Sequence, residues 1–504
     1  MTQRPLFVIR ADASSDIGGG HVMRCLTLAE GLRSRGVECC FVCNSDAALA
    51  APALARSGFQ VIETQRNSAA IPEELLGRAI DAVIFDHYGI DAEGERLWRG
   101  QARLVAVIDD IANRQHDCDV LIDPSHGRTP ADFAAIVPAA ARVLCGGGYT
   151  PIRAEFLLVQ PYSKERRESP KLGRILVSTG LTDVRSLSLH IVESVRSVLP
   201  DIELDVVLGP RAPSLAPLQA MAQTDQALHL HVDPPFMSPL MAEADLAIGA
   251  IGTTTWERCA VALPSIAIVL ADNQLANSET VSRSGAGIAL NWIGGDDFAA
   301  LARELKALAA RPDRLTTMAE AAAKLNDGNG CGRLVDALLG PARPSSEAPI
   351  LRAGNAQDVL RIWAWRNERT ARAMSIDTKP IAWAGHLGWF GKAINAPERH
   401  RFFIGEQSGT AIGMVRFDKL DEVKWRTSIL LAPEARGRGL GGKLLALACA
   451  QIEETTVADA ILRAEVSDDN PASRKIFESC GFAPSGEKDG NMNVFVRDKK
   501  RQAA

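Results

Sequence analysis

Residues 6–24 read LFVIRADASSDIGGGHVMR, and their order decides the fold. The short apolar run LFVIR has the length of a buried strand. Gly18, Gly19 and Gly20 then let the backbone turn sharply, because a residue without Cβ reaches conformations closed to the others. His21 opens a helix on which Cys25, Leu28, Ala29 and Leu32 follow the i, i+3, i+4, i+7 spacing of one buried face. Strand, tight turn and helix make the repeating unit of a parallel α/β sheet. The runs ECCFVC, DAVIFD, RLVAVID and DVLID follow as further strands, so residues 1–160 are expected to form a Rossmann-like domain.

A polar stretch near residues 157–172, LVQPYSKERRESPKLG, marks an expected break. RILVST, ELDVVL, LHLHV, ADLAIGA and SIAIVL then predict a second Rossmann-like domain over residues 170–338. The Pro/Ser/Ala-rich run ending in PARPSSEAPI reads as a linker over residues 339–350, and a third unit is expected over residues 351–498.

Composition excludes several classes. Of 504 residues, 46% are hydrophobic and 23% charged, an ordinary globular balance. A net charge of −5 offers no basic field, so no nucleic-acid partner is expected. No apolar run approaches the roughly 18 residues of a membrane span, and the N-terminal run is too short for a signal peptide. With ten cysteines lacking regular spacing, a cytoplasmic protein with reduced thiols is the expectation. Cys40 and Cys43 form a C-x-x-C, but on a strand they point to opposite faces, which argues for buried thiols. Oligomeric state is not legible.

Three constellations carry chemistry. The first is the loop Gly19-Gly20-His21. Free N–H groups at a helix start favour an anion, and a neutral imidazole at the loop tip can take a proton from water. The plain alternative is a histidine that merely caps the helix. The second lies in residues 245–274, DLAIGAIGTTTWERCAVALPSIAIVLADNQ. Gly252, Thr253 and Thr254 start a helix that offers donors to a phosphate, and Glu257, one turn in, suits ribose hydroxyls. Asn273 and Gln274 fall at the carboxyl end of the next strand, the edge at which parallel sheets bind ligands. The plain alternative is a capped helix, Thr at the cap and Glu three residues on.

The second constellation resembles the nucleotide site of two-domain glycosyltransferases of the type that builds the peptidoglycan lipid intermediate. RADASSDIGGGHVMRCLTLA, DHYGID, GGGYTPIRAEF and TTWERCAVALPSIAIVLADNQ resemble a narrower family, the UDP-2,4-diacetamido-2,4,6-trideoxy-β-L-altropyranose hydrolases of pseudaminic-acid synthesis. The similarity covers about residues 4–338. The resemblance implies a GT-B-like pair of domains in which His21 is the catalytic histidine and Tyr88 lines the sugar site. It also implies that Asn273 lies near sugar and phosphate, and that Gly252, Thr253, Thr254 and Glu257 hold the uridine diphosphate. The loop Ser178-Thr179-Gly180-Leu181-Thr182-Asp183 departs from the small-residue pair common in relatives. The implied reaction is attack of water at the anomeric carbon with loss of UDP. No metal is expected. His87, His116 and His126 lie near aspartates without ligand spacing and read as ordinary strand-end or loop histidines.

The third constellation is Arg436-Gly437-Arg438-Gly439-Leu440-Gly441, between a strand that includes Leu430 and a helix with Leu444, Leu445, Ala448 and Ile452 on one face. Glycines and helix-start N–H groups suit a pyrophosphate. With Asn470-Pro-Ala-Ser473, Phe477 and Cys480-Gly481-Phe482, the stretch resembles a GNAT-family N-acetyltransferase, which implies acetyl-CoA as cosubstrate. RIWAWRNE and HLGWF, with His386 and Trp389, are similar to acetyltransferases acting on UDP-4-amino sugars. Many GNAT enzymes carry a tyrosine acid where this chain has Phe477. The rival expectations are a glycosyltransferase half, an acetyl-CoA sensor that does not turn over, and a protein-acetylating domain.

Overall fold

The computed structural model describes residues 4–14, 19–180, 182–341, 347–455 and 460–498. Gly18, Leu181 and residues 342–346 of the expected linker lie outside the described residues. The chain divides into two compact units, Met1–Ala342 and Arg343–Ala504.

The first unit holds two parallel sheets. The strands of the first are β1 (Leu6–Ala11), β2 (Glu38–Cys43), β3 (Gln60–Glu63), β4 (Ile80–Asp86), β5 (Ala102–Ile108), β6 (Val120–Asp123) and β7 (Arg142–Cys145). Their spatial order is β3-β2-β1-β4-β5-β6-β7, every pair parallel, so strand addition reverses between β1 and β4. Alternation along the strands builds two cores, one beneath the helix Gly20–Ser34 and one around Trp98 and Phe133. Cys40 belongs to one and Cys43 to the other, on opposite faces as expected. Burial pushes these thiols up to about 11 and about 12, far from the thiolate that redox chemistry needs. On the helix, Cys25, Leu28, Ala29 and Leu32 are fully buried, and each leucine contributes roughly 1.5–3 kcal/mol.

The second sheet comprises β8 (Arg174–Ser178), β9 (Glu203–Leu208), β10 (Leu228–Val232), β11 (Leu246–Ala250), β12 (Ser265–Val269) and β13 (Gly287–Asn291). Its order is β10-β9-β8-β11-β12-β13, again all parallel, and the reversal lies between β8 and β11. This is the expected α/β architecture of two Rossmann-like, GT-B-like domains. Strands β3, β7 and β13 were not expected. Each lies at a sheet edge with one buried side chain or buried end, too little to write an apolar run.

Two expected boundaries fall inside helices. The first domain's limit at residue 160 falls inside the helix Ala154–Arg166, which contains Pro161. An internal proline costs about 3 kcal/mol. Burial of Phe156, Val159 and Tyr162 offsets it, as do bonds from Gln160 to the carbonyls of Ala260 and Asp327 and from Ser163 to that of Val261. At the other end, the helix Gly330–Leu339 returns to the first domain, burying Leu334 and Val335 in its core.

The second unit is one mixed sheet of β14 (Ile350–Ala353), β15 (His400–Gln407), β16 (Thr410–Lys419), β17 (Lys424–Leu431), β18 (Ile461–Ser467), β19 (Ala483–Asp489) and β20 (Met492–Asp498), ordered β14-β15-β16-β17-β18-β20-β19. Only β17 and β18 are parallel, and they pair over Lys424–Arg426 alone. Beyond that point Thr427–Leu431 part from β18. The helix Leu440–Thr455 packs on the sheet through Leu444, Leu445, Ala448 and Ile452. Among the described residues no helix is long and apolar enough to cross a membrane.

Candidate functional site

The first site forms at the reversal between β1 and β4, where the loops leaving two neighbouring strands diverge and open a crevice. The loop after β1 delivers Gly19 and Gly20 to the start of the helix that carries His21. A Cβ at Gly19 would stand 2.8 Å from the carbonyl oxygen of Ala50, so only glycine fits there. The loop after β4 delivers His87 and Tyr88, and β4 itself ends on Asp86.

Asp86 is fully buried, and its Oδ1 lies 2.5 Å from Nδ1 of His21. Arg24, one turn along the helix, donates from Nε to Oδ2 at 2.5 Å and from Nη2 to Oδ1 at 2.7 Å. Burial alone would raise the Asp86 carboxyl, but Arg24 and His21 outweigh it and hold it well below the usual carboxylate range. A carboxylate only accepts, so Nδ1 of His21 carries the proton and Nε2 keeps a lone pair. With the proton on Nδ1, His21 accepts nothing from Arg24 Nη2, which lies 3.3 Å away. His21 itself is 8% exposed.

The network extends to Tyr88. Arg24 Nη1 donates to Asp110 Oδ2 at 2.7 Å, and the hydroxyl of Tyr88 donates to Asp110 Oδ1 at 2.9 Å. The Tyr88 ring meets the His21 ring edge-on, centroids 4.5 Å apart, with 45% of the residue exposed. His87 is occupied otherwise. Its Nδ1 accepts from Gly89 N–H and its Nε2 donates to Asp12, which Arg10 also holds. His116 is buried between Glu95 and Asp109. His126 stacks on Trp256 at 4.3 Å.

In the second domain the helix Thr253–Ala260 starts at the reversal between β8 and β11. Gly252 and Thr253 are exposed at its start and Thr254 half-exposed, so first-turn N–H groups face outward. The helix cap is Gly252, whose N–H donates to Thr255 Oγ1, rather than a threonine paired with Glu257. Glu257 is instead gripped by Arg153, Nε to Oε1 at 2.7 Å and Nη2 to Oε2 at 3.1 Å. Asn273 lies exposed beyond β12, while Gln274 folds back to accept from Leu270 N–H. The divergent loop after β8 is anchored by buried Asp183, which accepts from the N–H groups of Ser188 and Ser214.

In the second unit Gly437 and Gly439 adopt φ of +73° and +69°, the left-handed region that favours glycine. They turn the chain from β17 into the helix beginning at Leu440, opposite the splayed ends of β17 and β18. Leu430 sits on the free stretch of β17. A Cβ on Gly441 would meet Ile476 at 2.7 Å. Arg436 is paired with Glu368 at 2.6 Å, and Arg438 donates to Gln407 at 2.8 Å. Asn470 caps the next helix by accepting from Ser473 N–H. Phe477 is 3% exposed and packs edge-on against Phe482, a core residue with no proton to offer.

A second cluster of aromatic and basic side chains lies on the same unit. His386 donates from Nε2 to the carbonyl of Val359, and burial pushes its imidazole down to about 4. Beside it stand Trp389, 38% exposed, and Arg416, whose guanidinium lies 5.1 Å over the Trp389 ring. Arg366 is held below its ordinary range first by burial and then by the charge of Arg416, and it has no ion-pair partner among the described residues. Arg416 is itself paired with Asp418 at 2.9 Å, which leaves the Arg366 charge to suit an anionic acceptor.

Sequence reasoning passed over Asp86, Arg24, Asp110, Arg153, Arg366 and Arg416. Only Asp86 left a signal, a carboxylate ending an apolar strand at the ligand edge.

Comparison with known proteins agrees with this division. Residues 209–330 match the Glycosyltransferase family 28 C-terminal domain, and residues 360–482 match the Acetyltransferase (GNAT) family. A UDP-2,4-diacetamido-2,4,6-trideoxy-beta-L-altropyranose hydrolase of Campylobacter jejuni is 26% identical over 280 residues, 55% of this chain and 96% of the relative. An uncharacterized protein of Methanocaldococcus jannaschii is 22% identical over 501 residues, spanning 97% of this chain and 98% of its own. The crystal structure of MurG from Acinetobacter baumannii covers 66% of this chain and 99% of its own at 17% identity, with a TM-score of 0.47. The chain thus joins a GT-B-like half, homologous to a UDP-sugar hydrolase, to a C-terminal GNAT acetyltransferase domain.

Proposed function

We propose that the chain performs two consecutive reactions on one UDP-linked amino sugar in pseudaminic-acid synthesis. The GNAT domain transfers the acetyl group of acetyl-CoA to the 4-amino group of UDP-4-amino-4,6-dideoxy-N-acetyl-β-L-altrosamine. The first half then hydrolyses the product, UDP-2,4-diacetamido-2,4,6-trideoxy-β-L-altropyranose, to UDP and the free sugar. The observation that carries this reading is the His21–Asp86 contact of 2.5 Å at the ligand edge of the first sheet, which leaves Nε2 of His21 as a base.

In the hydrolytic step, the oxygen of water bonds to the anomeric carbon as the bond from that carbon to the diphosphate oxygen breaks. The water proton goes to Nε2 of His21, and the bonding pair leaves with UDP. Donors at the start of the helix Thr253–Ala260 stabilise the charge on the departing diphosphate, with Asn273 beside it. Tyr88, its hydroxyl donated to Asp110, offers the sugar a lone pair and a ring edge. In the acetyl transfer, the amine nitrogen bonds to the thioester carbonyl carbon as the carbon–sulfur bond breaks; CoA leaves as the thiolate, and the proton lost from nitrogen passes to solvent. Gly437–Gly441 hold its pyrophosphate, and the Arg366–Arg416–Trp389 wall supports a nucleotide-bearing acceptor.

The test is incubation of the protein with the UDP-4-amino sugar and acetyl-CoA, followed by mass spectrometry. The free diacetamido sugar is expected, and the diacetamido nucleotide is expected to accumulate in the His21→Ala variant. Absence of both compounds overturns the reading. The match of residues 209–330 to a glycosyltransferase domain favours a second reading, in which an acceptor hydroxyl replaces water. UDP release with water as sole acceptor separates the two.

A further inference from the structure

The motif GGGYTPIRAEF contains a charged side chain that the proposed chemistry does not use. Arg153 follows the turn Gly147–Tyr149 at the end of β7, in the first domain. All three of its guanidinium nitrogens are engaged by carboxylates: Nε and Nη2 by the two oxygens of Glu257, and Nη1 by Glu155 at 2.6 Å. Glu257 stands on the helix Thr253–Ala260 of the second domain, so the pair crosses between the two sheets of the first unit. The preceding residue on that helix, Trp256, is held from the first domain too, by its stack on His126. Two consecutive side chains beside the diphosphate-type turn are therefore fixed by residues from the other domain.

A carboxylate has about four lone-pair positions. A bidentate guanidinium occupies one on each oxygen and fixes the plane of the group. One position on each oxygen remains, and the Glu257 side chain is still 10% exposed. Two acceptor positions held at fixed separation match two vicinal hydroxyls. We propose that Arg153 is a positioning residue of the nucleotide site: it fixes the Glu257 carboxylate so that its remaining lone pairs take the 2′- and 3′-hydroxyls of a ribose. This rests on the reading of the second domain as the uridine-diphosphate site. It makes ribose recognition a joint property of both domains of the first unit.

The experiment is calorimetric titration of the full chain with UDP and with 2′,3′-dideoxy-UDP, for the wild type, Arg153→Met and Arg153→Lys. The wild type is expected to prefer UDP by about tenfold or more, the factor that hydrogen bonds to a charged acceptor supply. Arg153→Met is expected to lose most of that preference while its affinity for the dideoxy nucleotide stays unchanged. Arg153→Lys, which keeps the charge without the fork, is expected to fall between. A preference retained in Arg153→Met overturns the proposal. So does an equal loss of both nucleotides, which would make Arg153 a scaffold contact. A wild type that binds both equally removes the ribose role from Glu257 and hence from Arg153. A wild type that binds neither strikes the nucleotide reading itself.

Discussion

Nδ1 of His21 and Oδ1 of Asp86 stand 2.5 Å apart, and Arg24 holds the other Asp86 oxygen at the same distance. The carboxylate therefore decides which imidazole nitrogen keeps its lone pair. Asparagine at this position also presents an N–H group, which would favour the opposite tautomer and leave Arg24 with a weaker partner. Asp86→Asn is expected to lower the rate of UDP release by about 10²–10⁴-fold. UDP affinity, which on the proposed reading rests on Glu257, Arg153 and the start of the helix Thr253–Ala260, is expected to change less than about threefold, within the scatter of a site that the substitution does not touch. Single-turnover release and calorimetry with UDP check the two halves of this statement. Equal losses in rate and affinity would show that Asp86 holds the crevice rather than the base.

On the acetyltransferase domain, the charge of Arg416 reaches Arg366, and among the described residues Arg366 has no ion-pair partner, whereas Asp418 pairs with Arg416 and Glu368 with Arg436. Arg366→Gln is expected to raise KM for the sugar nucleotide by about tenfold, the worth of one charge-assisted contact. KM for acetyl-CoA is expected to stay as it was. Thiol release measured against each substrate in turn tests this. An unchanged acceptor KM would leave the amine's sugar, rather than its nucleotide, as the recognised part.

The sequence made the strand–loop–helix order of both Rossmann-like domains legible because buried parallel strands are apolar runs, and all ten runs quoted for them are strands of the structure. Edge strands such as Gln60–Glu63 bury one residue and leave no such mark. The helix across Pro161 was illegible because what sustains it, bonds from Gln160 and Ser163 to a segment about a hundred residues away, is tertiary. His21 and the glycine turns could be read since backbone geometry singles them out. Arg24 and Arg153 could not, because an arginine in a helix or loop reads as a surface charge until the fold brings a carboxylate to it.

Two buried histidines predict opposite pH dependences. His116 sits between Glu95 and Asp109; burial works against its charge, but those two carboxylates prevail and raise its pKa above 6.5. Its contribution to stability is complete below that value and is lost as pH rises through the folded pKa. His386 is pushed down to about 4 by burial, so its contribution is present above 6.5 and lost as pH falls toward 4, on the order of 2 kcal/mol by pH 5. In denaturant unfolding, the deficit of His116→Gln relative to wild type is expected to shrink between pH 6 and pH 9. The deficit of His386→Gln is expected to shrink between pH 7 and pH 5. A gap that does not move with pH in either variant would mean that the histidine acts through packing alone.

Phe477 stands where many acetyltransferases of this type carry a tyrosine that protonates the departing thiolate. Here the ring is buried among Phe482, Phe495 and the helix Leu440–Thr455, 3% exposed. A hydroxyl added to a site of this kind has no partner, and burying one unpaired costs about 1–3 kcal/mol. Phe477→Tyr is therefore expected to lower the melting temperature of the C-terminal unit without raising the acetylation rate. On the proposed function, CoA then leaves without help from this position, and the alignment of amine and thioester sets the rate. Steady-state thiol release from pH 6 to pH 9 decides the matter. A variant faster than the wild type would show that the hydroxyl reaches the sulfur, and that the ring lies closer to the reacting atoms than its packing indicates.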